Sequence, residues 1–83
     1  MIKLLYFASL RENLGSAGES LELPSDPCSV GALRAHLAAR GDAWQVFATS
    51  KSLRAAVNQK MVGAEAPVKA GDEVAFFPPV TGG

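Results

Sequence analysis

One stretch of this 83-residue chain has the period of an amphipathic helix of useful length, and strand-like apolar segments lie on both sides of it. Val30, Leu33 and Leu37 recur at helical spacing within residues 30 to 40, with Ala32 and Ala38 widening the stripe. Ser29 occupies the N-cap position, and Gly41 after Arg40 predicts a left-handed stop. Gly31 costs the first turn about 1 kcal/mol against alanine. One such helix can cover one face of one small sheet. A chain of this length builds a single core and has no room for a deep, enclosed substrate cleft.

Residues 2–8 are apolar and partly β-prone, and parity sorts Ile2, Leu4 and Tyr6 to one face and Lys3, Leu5 and Phe7 to the other. Both faces carry apolar side chains, which predicts a central strand or a strand with a partner. Two glycines make 13–18 a turn. Glu19 to Leu23 alternates like a half-buried strand that stops at Pro24, giving a first hairpin. Residues 42–50 predict a second short helix seating Trp44 and Phe47 on the core. Leu53 to Asn58 reads as a strand, Met61-Val62 as a short continuation after a turn, 68–72 as a turn, and Glu73 to Phe77 as a last apolar strand that Pro78-Pro79 must end. A helical crossover lets the last strand run parallel to the first. The economical solution is an α+β fold, a mixed five-stranded sheet packed on one main helix, which is the β-grasp or ubiquitin-like roll. The expected organisation is a domain over 1–77 and an extended tail over 78–83.

The composition removes several function classes. With 48% hydrophobic and 19% charged residues the chain is not a disordered tail. Eight basic and eight acidic residues cancel, leaving no electrostatic footprint for nucleic acid or an anionic membrane. No apolar run approaches the ~20 residues of a membrane span, and the start lacks the pattern of a signal peptide, so a cytoplasmic location is expected. The single cysteine, Cys28, rules out an internal disulfide framework and a cysteine zinc cage. His36 has no companion at ligand spacing, so no metal site is expected. Cys28, beside a helix N-cap, is a conceivable nucleophile but lacks a paired base and reads as a passive small residue. Asp72 and Glu73, neighbours in a turn, point apart and read as solvated rather than as an acid–base pair. Nothing internal looks catalytic.

The informative residues are the last ones. A terminal Gly-Gly is a roughly one-in-two-hundred accident at average glycine usage. Here it follows a rigid strand, two prolines that favour an extended backbone, and then Val80 and Thr81. Residues 78–83 reach about 20 Å when extended. Gly82 and Gly83 lack a Cβ and suit a narrow channel. The shape is a stiff arm with a slim tip ending in a carboxylate. An α-carboxylate is a poor electrophile until it is activated as an acyl adenylate. Sulfide attacking that adenylate gives a thiocarboxylate; an amine gives an amide-linked modifier. The tail by itself says carrier or conjugated modifier.

Nearly end to end, the chain resembles the MoaD family, the small sulfur-carrier subunits of molybdopterin synthase. The resemblance lies on residues 2–8 with Leu10-Arg11-Glu12, on Ser29-Val30 to Leu37, on Ala55-Ala56-Val57-Asn58-Gln59, and most specifically on Gly71-Asp72-Glu73-Val74-Ala75-Phe76-Phe77-Pro78-Pro79-Val80-Thr81-Gly82-Gly83. Residues 40–52 match weakly, and Ala70 departs from the more usual polar turn residue. The resemblance implies that Gly83 is adenylated by a MoeB-type, E1-like enzyme that consumes ATP, with no cofactor held permanently by this chain. A sulfur donor protein would then supply the thiocarboxylate. It also implies a MoaE-type large subunit, in a heterotetramer, whose active site receives Pro78, Pro79, Val80, Thr81 and Gly82 and makes the molybdopterin dithiolene from cyclic pyranopterin monophosphate. Strand parity places Phe7 and Phe77 on the open face, Met61 extends that patch, and the resemblance adds Arg11 at the end of the first strand as a rim contact. A ThiS-like carrier for thiazole synthesis, a ubiquitin-like modifier and a non-carrier interaction module are the alternatives.

Overall fold

The computed structural model describes residues 1–24, 28–50 and 52–78. The chain runs β1 (Ile2–Tyr6), α1 (Ala8–Leu14), β2 (Gly18–Leu21), β3 (Cys28–Ser29) and α2 (Val30–Ala38). A 3-10 turn (Asp42–Gln45) then leads into α3 (Val46–Thr49), followed by β4 (Arg54–Val57), β5 (Lys60–Val62), β6 (Pro67–Val68) and β7 (Glu73–Phe77). Five strands form one mixed sheet in the order β2-β1-β7-β4-β5, with β1 and β7 parallel at its centre and the other neighbours antiparallel. This is the β-grasp arrangement that the segment order predicts.

The core lies between the sheet and α2. Ile2, Leu4 and Tyr6 from β1, Val74 and Phe76 from β7 and Ala55 from β4 meet Val30, Leu33 and Leu37 of α2. Phe47 of α3 closes one end, its ring edge-on to Phe76 with centroids 5.0 Å apart. The first turn of α2 is satisfied from outside the helix. Ser29 Oγ accepts the Ala32 N–H at 3.0 Å, while the Val30 and Gly31 N–H groups donate to Ala66 O and Ala64 O at 3.0 and 2.7 Å. A Cβ at Gly31 would sit 3.2 Å from Ala64 O, so the glycine that weakens the helix lets the 63–66 loop cap it.

Several expectations need correction. No tight hairpin joins β1 to β2: α1 fills the gap, burying Leu10 on the core, with Gly15 ending it in the left-handed region (φ 69°, ψ 24°). The first strand stops at Tyr6, and the second lies at Gly18–Leu21 because its register is set by Ile2↔Leu21 and Leu5↔Gly18. Helix α2 ends at Ala38 with a right-handed cap at Ala39. Gly41 serves the next turn instead, at φ 80° and ψ −176°, a region essentially restricted to glycine. A two-stranded ribbon, β3 with β6, was not foreseen.

Asp72 is not a solvated turn residue. It is 6% exposed, and its carboxylate accepts the Lys69 N–H at 2.9 Å and the Asn58 Nδ2 amide at 3.1 Å. Those bonds, the Lys69 N–H first, hold its carboxyl below the ordinary carboxylate range. At the β2 edge of the sheet, Glu19 accepts two 2.8 Å bonds from Arg40 and one of 3.0 Å from the Tyr6 hydroxyl, and Arg40 stacks 4.5 Å from the Trp44 ring centroid. The Arg40 bonds pull the Glu19 carboxyl down, while burial and then Glu19 push the Tyr6 hydroxyl up. The cluster ties edge strand β2 to the end of α2.

Candidate functional site

The face of the sheet away from α2 has a definite pattern. Pairing registers align Gly18, Leu5, Ala75, Ala56 and Met61 in one row across all five strands. Toward the C-terminal end of β7 a second row contains Phe7, Phe77 and Arg54; Phe77 stands opposite Arg54, and the Phe7 N–H donates to Phe76 O at 3.2 Å. On the opposite side of the first row the surface turns polar, with Lys3 across from Glu73. The apolar band is therefore concentrated at the end from which residue 78 leaves the sheet.

Exposure follows the pattern. Phe7 is 45% exposed and Met61 56%, high values for large apolar side chains, and Leu5, Ala75, Phe77 and Pro78 are half-buried. Ala56 is only 7% exposed although it points to this face. With Ala75 it forms a low floor between Leu5 and Met61, because a methyl group rises less than either neighbour. Large apolar side chains gathered on one open face are a feature by which interaction surfaces are recognised.

The backbone at Ala8 shapes one corner. Phe7 is extended (φ −123°, ψ 158°) and Ala8 is left-handed (φ 54°), so the chain turns from strand to helix within one residue. Phe7 thereby stays on the open face while Leu10 reaches the core. Arg11 lies one turn into α1, not at the end of a strand as expected, and is exposed with its N–H donating to Phe7 O at 3.3 Å.

Phe7, Phe77 and Met61 thus share one face as strand parity predicts, with Met61 two strands from Phe77 on β5 and Arg11 on α1 beyond Phe7. Ala56, Ala75 and Arg54 were missed as members of the face; cross-strand register supplies them. Of the tail residues, Pro78 follows β7 directly, and Pro79, Val80, Thr81, Gly82 and Gly83 lie outside the described residues. Cys28 is 3% exposed in β3, opposite Val68, so its thiol has no open approach. His36 is exposed on the last turn of α2, and no group of metal-ligating side chains occurs among the described residues.

The family model described as the ThiS family matches residues 4–83. The chain belongs to the ThiS family. Two curated relatives align with it over 83 residues, all of both chains: the molybdopterin synthase sulfur carrier subunits of Escherichia coli (strain K12), at 49% identity, and of Haemophilus influenzae, at 43%. Among solved structures, SAMP1 from Haloferax volcanii superposes with a TM-score of 0.80 at 27% identity, covering 99% of this chain and 98% of that one. The complex of subunits 1 and 2 of molybdopterin-converting factor from Helicobacter pylori contains a chain with a TM-score of 0.67 at 19% identity, covering 99% and 97%; at that identity it speaks for the fold alone. No helix among the described residues is long and apolar enough to cross a membrane.

Proposed function

We propose that this chain is the sulfur carrier subunit of a molybdopterin synthase, non-catalytic by itself. The observation that carries the reading is the 49% identity, without unaligned ends, to a curated protein of that name. The apolar band beside the tail exit supports it, since a carrier must seat its domain on a partner while its tip reaches that partner's active site.

In this reading a carboxylate oxygen of Gly83 attacks the α-phosphorus of ATP on a MoeB-type enzyme, and pyrophosphate leaves. Sulfide-level sulfur from a donor protein then attacks the acyl carbon and expels AMP, leaving a thiocarboxylate; where the donor carries a persulfide, a thiol reductant releases its outer sulfur at that level. Pro78 and Pro79 keep the arm extended, and Val80, Thr81 and Gly82 pass into a MoaE-type large subunit whose side chains handle the pterin. Phe7, Met61 and Phe77 anchor the domain there, with Arg11 at the rim. The large-subunit partner is supported by the Helicobacter pylori complex, in which a chain of this fold is bound to subunit 2. A heterotetramer and a cytoplasmic location complete the reading.

Intact mass tests it. After incubation with a MoeB-type enzyme, ATP and a sulfur source the chain should gain about 16 Da at Gly83, one oxygen replaced by sulfur. With the large subunit it should then convert cyclic pyranopterin monophosphate to molybdopterin. Sulfur recovered on Cys28, with transfer lost in Cys28→Ser, would overturn the assignment. The likeness to SAMP1, a small archaeal modifier protein, favours one second reading: a modifier joined to lysines. High-mass conjugates in place of a stable thiocarboxylate would establish that alternative.

A further inference from the structure

Among the described residues, the open face and its rim carry the basic side chains of Lys3, Arg54 and Arg11, and they are not equivalent. Lys3 stands across from Glu73, so an opposite charge adjoins it. Arg54 has Phe77 as its cross-strand neighbour and Ala56 two residues on, with no carboxylate beside it on that face. Neither Arg54 nor Arg11 enters an ion pair among the described residues, whereas Arg40 is held by Glu19 and Lys69 lies beside Asp72. Net charge is zero over the chain, so this is a local excess. Arg11 on α1 and Arg54 on β4 stand on either side of the strand end from which residue 78 departs, with Phe7 and Phe77 between them.

We propose that Arg54 is a steering and specificity contact, meeting a carboxylate on the partner surface that covers Phe77. The inference rests on the docking reading above and adds to it the charge of the partner's rim. A guanidinium held at the edge of an apolar patch suits a carboxylate, which it can engage through two parallel N–H bonds. The partner must then carry acidic groups around the mouth of its channel, although the channel's far end receives an anionic tip. A partner with a basic rim would be repelled at the shoulder of the arm before the tail could thread. Rim charges act mainly on the rate of encounter, and salt removes their effect beyond a Debye length of about 8–10 Å.

Stopped-flow association of the full chain with the large subunit, at about 20 mM and about 500 mM salt, decides the matter. Arg54→Gln should slow association about threefold and Arg54→Glu about tenfold or more at low salt, with both within about twofold of wild type at high salt. Arg54→Glu binding at the wild-type rate at low salt, binding faster, or being slowed equally at both salts would overturn the inference. Should Arg54→Glu fail to give a cooperative melt, Arg54→Gln decides by the same criterion. Phe77→Ala included alongside separates the two levels: an unchanged lifetime of its complex would overturn the docking reading itself, whatever Arg54 does.

Discussion

Asn58 and Asp72 lock the start of β7 to the β4–β5 turn. The Asn58 amide donates to Asp72 Oδ1 at 3.1 Å, its own Oδ1 accepts the Glu73 N–H at 3.1 Å, and its backbone N–H donates to Glu73 O at 2.7 Å. One side chain thus holds a carboxylate and a strand backbone together. Because bonding lowers the Asp72 carboxyl in the folded state, its contribution is complete above the unfolded value near 4 and is lost as pH falls through the lower folded value. Asp72→Asn should cost about 1–3 kcal/mol at pH 7 and flatten the decline of melting temperature below about pH 4. Melts from pH 2 to 7 would show it; an unchanged pH profile would remove Asp72 from that role.

The two adjacent phenylalanines of β7 should behave oppositely. Phe76 is fully buried, and Phe76→Ala should cost about 3–5 kcal/mol of stability. Phe77→Ala and Phe7→Ala should change melting little and weaken binding to the large subunit by about 2 kcal/mol each, roughly thirtyfold. Met61→Ala should weaken it less. Calorimetric titration alongside thermal melts separates the two effects, and equal destabilisation by Phe76→Ala and Phe77→Ala would contradict the face assignment.

Ala8 sits in a backbone region that costs an alanine about 1–2 kcal/mol. Ala8→Gly should therefore stabilise the fold by about 0.5–1 kcal/mol after glycine's own entropy is counted, and Ala8→Val should destabilise it. Denaturant midpoints measure both. The same pair tests the site: Ala8→Gly should leave binding intact, since Phe7 keeps its bond to Phe76.

Replacing Pro78 and Pro79 together by glycine should slow sulfur transfer several-fold with an unchanged melt, because a freer arm loses more entropy when it threads a channel. Single-turnover transfer by the thiocarboxylated chain is the measurement. Wild-type turnover would leave the prolines without a mechanical part.

Much of the sheet was legible because strand parity has a period of two and β1 and β7 both place aromatic residues on it. Tyr6 and Phe76 went inward, Phe7 and Phe77 outward, as alternation requires. Helix α1 escaped notice because seven residues span too few turns for periodicity to emerge; its signal, Leu10 and Leu14 four apart before Gly15, overlapped a run read as strand and turn. The burial of Asp72 depends on a side chain 14 residues earlier, and Arg54 joins the face only through its register with Phe77. Such facts arise from tertiary pairing, which no local pattern carries.

The parallel pairing of β1 with β7 also bears on the birth of the molecule. Its first strand cannot find its central neighbour until the chain has been made through Phe77 and has left the ribosome. Until then the facing edges of β1 and β4 have no strand between them to hydrogen-bond. The platform on which Phe77 and Phe7 stand exists only once β7 is in place. A chain cut short before that strand would lack the platform that Phe7 and Phe77 form, so on the carrier reading unfinished copies would compete poorly with finished ones for a partner.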